Sequence, residues 1–223
     1  MEFKKYKPKP PYYRVWPEFG SSGIWILDEP LQTSAGKMIE HSCLKLPKEL
    51  CMDFNKWIEW HWNCQPDLQG DNFNWEAFDK EGYKLATQLK NYLDCETYVE
   101  YKNNPVPMML RVMPDIGCCV WTYYKGDIIG GGLELPSDIQ KRLDDWNDWY
   151  VERIDDFHWS HGKIPPHVNS ESPPDSKEIN EFIETGRNIA TSLKEYMGAY
   201  ANVYYVDDYK STNKIKDHET LIE

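Results

Sequence analysis

Two short aromatic and β-branched runs open the patterned part of the chain, residues 12–16 and 23–27. Gly20-Ser21-Ser22 lies between them, so they predict two strands joined by a turn. Residues 37–45 offer a third strand. From Pro47 the period changes: Leu50, Phe54, Trp57 and His61 recur at helical spacing, with proline placed where a first helical turn tolerates it. Further on, Ile139, Leu143, Trp146, Tyr150, Ile154 and Phe157 form a longer stripe of the same kind. Ile183, Gly186, Ile189, Ala190, Leu193 and Met197 form the apolar face of another helix, which starts near Ser176 with Glu178 in a capping-box-like position. Residues 97–102 and 202–207 read as strands. The Lys-Pro-rich residues 1–11 predict an extended arm, and the polar residues 210–223 a frayed tail.

These elements come in two sets because the chain is written twice. Phe182, Gly186, Ala190-Thr191, Leu193-Lys194 and Tyr196 repeat Phe78, Gly82, Ala86-Thr87, Leu89-Lys90 and Tyr92 in register. The match extends outward: Arg14-Val15-Trp16-Pro17 returns as Arg111-Val112-Met113-Pro114, and Ile24-Trp25 as Val120-Trp121. Leu46-Pro47 returns as Leu135-Pro136, and Phe54, Trp57 and Trp60 return as Leu143, Trp146 and Trp149. The offset is 97 at Arg14, 89 at Trp57 and 104 at Gly82, so the copies differ by loop insertions and deletions while their order is kept. The reading is an α+β protein of two tandem pseudo-symmetric β-β-(β)-α-α-β units, residues 12–107 and 108–209, each a mainly antiparallel sheet with helices packed on it. One compact body with a shared core or sheet is expected, since each copy alone would bury a modest core. Glycine inside a helix costs about 1 kcal/mol relative to alanine, so Gly82 and Gly186 predict close packing against a neighbour. Trp60 and Trp149 lie beside the apolar stripe, which implies either a wide buried face or contact with something else.

Composition narrows the function. Aromatic residues make up 14% and hydrophobic residues 40% of the 223, which excludes wholesale disorder. A net charge of -12 argues against nucleic-acid or anionic-membrane surfaces and suits a basic partner. No apolar signal-like run is present, so a cytoplasmic location with six reduced cysteines is expected. Acidity concentrates between Glu134 and Asp156, where eight acidic residues face three basic ones. Asp138, Asp144, Asp145, Asp148, Glu152, Asp155 and Asp156 are the candidate partner-binding residues, with the Pro/Ser/His-rich loop 162–175 beside them. A charge run is by default a solvated helix face, and the sharper reading is a docking surface for a basic protein.

Catalytic motifs are missing. No nucleophile elbow, H-E-x-x-H or dinucleotide fingerprint occurs, and Gly130-Gly131-Gly132 lacks the lysine and context of a phosphate loop. His61 with Cys64 and His158 with His161 have metal-ligand spacing and together would suit a tetrahedral zinc site. Matching the copies by their tryptophans sets His61 against the core-face Tyr150, which argues against the two pairs meeting. A metal-dependent enzyme or zinc module at the cleft between repeats is therefore the competing reading, and no metal or cofactor is assigned. Tryptophans lining a sugar platform are a further option, opposed by their core spacing. What recurs in both copies is packing residues, with Arg14 and Arg111 the shared residues of ligand-binding type.

Gly20-x-x-Gly23-Ile24-Trp25, Leu46-Pro47-Lys48-Glu49-Leu50, Phe54-x-x-Trp57-x-x-Trp60 and Phe78-x-x-x-Gly82-x-x-Leu85-Ala86 together resemble small cytosolic immunity proteins of bacterial polymorphic-toxin and contact-dependent inhibition systems. The resemblance spans both copies. It implies a non-enzymatic protein that binds a cognate, often cationic and nuclease-like, toxin domain and blocks its active site. It carries over no binding residue.

Overall fold

A computed structural model describes residues 5–64, 73–94, 96–115, 118–124, 127–130, 133–155, 175–206 and 219–223. The chain divides into two compact units, one comprising Lys7–Pro107 with Tyr124–Gly126, the other Met1–Tyr6, Met108–Tyr123 and Asp127–Glu223. Each contains one copy of the repeat, with its own five-stranded sheet and its own buried cluster. Among the described residues each copy forms a sheet of its own. Two helices laid on a five-stranded sheet give each copy enough apolar area for a core of its own.

In the first repeat the strands are β1 (Tyr12–Val15), β2 (Ile24–Leu27), β3 (Lys37–Met38), β4 (Tyr98–Tyr101) and β5 (Asn104–Pro105), in the order β3-β2-β1-β4-β5. Helices α1 (Lys48–Cys64) and α2 (Trp75–Tyr92) connect β3 to β4, with a short 3-10 turn at His41–Leu44 before them. A crossover this long lets β4 lie parallel to β1, while every other pairing in the sheet is antiparallel. Tyr13, Val15, Val99 and Tyr101 enter the core with Leu50, Phe54, Trp57, Phe78, Leu85 and Leu89. The alternate residues Tyr12, Arg14, Tyr98 and Glu100 face the other side of the sheet.

The second repeat has β6 (Met108–Asp115), β7 (Cys118–Tyr124), β8 (Asp127–Gly130), β9 (Ala201–Val206) and β10 (Glu219–Ile222), ordered β10-β9-β6-β7-β8. Read from β8, this is the first repeat's arrangement, down to the parallel pair between β6 and β9. Its helices are α3 (Ser137–Trp149), continued by a π-helical turn at Tyr150–Asp155, and α4 (Ser176–Met197). Of the tail expected to fray, residues 210–218 lie outside the described residues, whereas Glu219 to Ile222 pair with Val206 to Val203 and add an edge strand to the sheet. The N-terminal arm is also held at one point, because Tyr6 is buried in the second repeat's core and meets Tyr196 and Tyr200 edge-on.

The duplication persists at the level of single bonds. The indole N–H of Trp57 donates to the Phe78 carbonyl at 3.2 Å, and that of Trp146 to the Phe182 carbonyl at 3.0 Å. In both copies the two rings stack with centroids 4.9 Å apart. Trp60 and Trp149 meet the same phenylalanines edge-on at 5.3 and 5.4 Å, so the buried face is the wide one. Gly82 and Gly186 are explained by these rings. A Cβ on Gly82 would stand 2.7 Å from Trp57 Cζ2 and closer still to Tyr101, and one on Gly186 would stand 2.7 Å from Tyr205 Cε2 and closer still to Trp146. Lys90 and Lys194, again equivalent, donate to the carbonyls of Thr97 and Ala201 and tie the end of each second helix to the following strand.

Candidate functional site

Helix α3 sits on its sheet through Ile139, Leu143 and Trp146, which leaves the opposite face to solvent. Asp138, Lys141, Asp145 and Asp148 succeed one another at intervals of three and four, so they line that face, with Asp144 at its flank and Glu152 on the π-helical turn that continues the helix. All six are exposed. Lys141 donates to both carboxylate oxygens of Asp145 at 2.8 and 2.6 Å, and this bond together with the aspartate's charge raises its ammonium above the ordinary value. Arg142 is directed away, donating to Ser192 Oγ on α4 at 2.9 Å, and Gln140 donates to Asp144. Among the described residues, no salt bridge engages Asp138, Asp148 or Glu152. The face therefore keeps an anionic character, since one lysine is set against five carboxylates.

Asp155 belongs to the π-helical turn by its backbone, while Asp156 and residues 156–174 lie outside the described residues. Asp175, the last residue of the candidate loop, has a local role: its carboxylate accepts from the backbone N–H groups of Lys177 and Glu178 and caps α4. The helix begins at Ser176 as expected, with Asp175 as its N-cap and Glu178 in its first turn.

The shared arginines turn inward. Arg14 is 3% exposed; its Nε donates to Glu100 at 2.5 Å, and its two terminal nitrogens donate to the carbonyls of Gln32 and Ser34 in the loop after β2. Glu100 also accepts from Tyr98 and from the Leu31 N–H, so the buried carboxylate is fully bonded. In the second repeat the position of Glu100 is taken by Tyr204, over whose ring the Arg111 guanidinium lies at 6.0 Å. The carboxylate for Arg111 comes from Glu219 on β10. Both arginines thus hold sheets together. Glu100 was detectable as a lone charge in an apolar strand, but no local pattern pointed to Glu219.

His61 lies among Phe73, Trp75 and Phe78, Cys64 is a free thiol, and His158 and His161 fall outside the described residues. No group of three or more potential ligands occurs among the described residues. Gly130 ends β8, and the rest of the glycine triplet is not described. No helix among the described residues is long and apolar enough to cross a membrane. Comparison with protein-family models, curated proteins and solved structures finds no match.

Proposed function

We propose that the chain is a non-enzymatic, immunity-type protein that binds a cationic toxin domain through the outward face of α3 and neutralises it. The observation that supports this reading is the exposure of Asp138, Asp144, Asp145 and Asp148 on α3 and of Glu152 on the turn that continues it. The residues common to both copies act in packing, which leaves an exposed surface as the place for function. Opposite charge accelerates encounter and aligns the partner, with an effect that weakens as salt rises.

The experiment is co-expression with the product of the neighbouring reading frame, which this reading expects to be a basic toxin domain, using the wild type and the variant Asp144→Asn, Asp145→Asn, Asp148→Asn, Glu152→Gln. The wild type should protect cells, and the variant should associate about tenfold or more slowly at low salt. Equal protection and equal association rates for both proteins would refute the assignment of the face. Failure to recover any basic polypeptide, with no protection by the wild type, would refute the function itself. A zinc ion per chain lost on His158→Ala would favour the metal-dependent alternative.

A further inference from the structure

We propose that Phe19 and Trp62, in the first repeat, form a second interaction surface that receives an arginine-bearing segment of a basic protein. The inference goes beyond the α3 face, since it concerns another repeat, other residues and aromatic as well as ionic recognition.

The loop between β1 and β2 is built to hold Phe19 outward. Trp16 N–H donates to the Gly23 carbonyl at 3.1 Å, Ser21 donates to the Glu18 carbonyl through both its backbone N–H and its hydroxyl, and Gly23 N–H donates to Ser21 Oγ. Phe19 and Gly20 are the central residues of the turn so closed, and Gly20 takes the left-handed φ of 69° such a turn needs at that position. Gly23 at φ 80° brings the loop down on α1, where a Cβ would already stand 3.3 Å from Ile58 and Phe54. The outcome is a face-to-face pair: the Phe19 and Trp62 rings stack at 3.5 Å and 28°. Their outer surfaces stay open, Phe19 at 66% and Trp62 at 46% exposure.

A contiguous aromatic pair left in water is apolar surface that a partner can cover, and its surroundings specify the partner. Glu18 precedes Phe19, and Glu59 lies one helical turn before Trp62; both are exposed. Lys56, a nearby cation on the same helix, leans toward Asp53 at 3.6 Å. A second copy of the chain would bring the same carboxylates and a net charge of -12 to this spot. A guanidinium is the complementary group, because it stacks flat on an aromatic ring while its edge donates to a carboxylate, which an ammonium cannot do as well.

The test uses the full chain labelled at the indole nitrogens, with the Trp62 signal assigned through Trp62→Phe. It is titrated at physiological salt with acetyl-tetra-arginine amide and with acetyl-tetra-lysine amide. The arginine peptide should shift the Trp62 signal saturably and bind about fivefold more tightly than the lysine peptide. Phe19→Ser and Glu59→Gln should each reduce that preference, whereas the neutralised α3 variant should retain it. Because all these substitutions are at exposed positions, unchanged circular dichroism certifies the fold. A Trp62 signal indifferent to both peptides, or equal affinity for the two that Phe19→Ser leaves unaltered, would overturn the proposal. So would a Trp62 shift on concentration alone accompanied by dimer in sedimentation, which would make a second copy the occupant.

Discussion

Replacing Gly82 or Gly186 with alanine separates helix propensity from packing, because the two act in opposite directions. On propensity alone each substitution stabilises by about 1 kcal/mol. In the structure the added methyl group at Gly82 enters the space of Trp57 Cζ2, at 2.7 Å, and of the Tyr101 ring. Neither ring can withdraw easily. Trp57 is held by its bond to the Phe78 carbonyl and by stacking on Phe78, and Tyr101 by its hydroxyl on Asp79 at 2.7 Å. Overpacking a core costs about 1–3 kcal/mol, and pinned neighbours place these sites near the upper end. The net expectation is a destabilisation of about 2 kcal/mol, or a fall of about 1 M in the urea midpoint of the affected repeat. Two units need not unfold together, so the assay is hydrogen exchange by mass spectrometry across a urea series, read on peptides from each repeat. Gly82→Ala should lower the midpoint of α2 and β4, and Gly186→Ala that of α4 and β9. Stabilisation in either repeat would refute the argument that the glycines make room for these rings.

Other outcomes follow from the same contacts. Deleting residues 219–223 removes the carboxylate from buried Arg111 and should destabilise the second repeat by about 3–5 kcal/mol, with Glu219→Gln costing less; exchange protection of β9 checks both. Burial first, then the bond to and charge of Asp79, raise the Tyr101 phenol above its ordinary value of 10.0. A proton held more tightly in the folded state gives stability that is full below the unfolded pKa and is lost as pH rises past it. The first repeat should therefore weaken above about pH 10 by up to about 1.4 kcal/mol per pH unit. Tyr101→Phe should flatten that alkaline slope in urea melts, and an unchanged slope would place its origin elsewhere.

The repeated elements were legible because they obey local periodicity: Leu50, Phe54 and Trp57, or Ile189, Leu193 and Met197, announce a helix without reference to the rest of the chain. Gly82 and Gly186 were legible for another reason, since a costly residue written twice implies a spatial demand. What stayed hidden depends on partners distant in sequence. The parallel pairing of β1 with β4 and of β6 with β9 leaves no mark on the strands themselves. Glu219 lies 108 residues from Arg111, in a tail whose polar composition reads as solvent-exposed, and its strand exists because β9 offers an edge. The Phe19–Trp62 stack likewise needs a turn to bring a loop onto a helix. On α3 the charge was visible and its exposure now follows from the apolar stripe beneath it.

The account rests on each repeat being a self-sufficient copy of one fold whose preserved residues act in packing. Expressing residues 7–107 alone tests this most directly, by urea unfolding followed by circular dichroism and exchange of β1, β4 and α2. The account predicts a single cooperative transition, with protection of these elements that is lost in the Gly82→Ala fragment. A fragment that shows no cooperative transition and no protected backbone would contradict it.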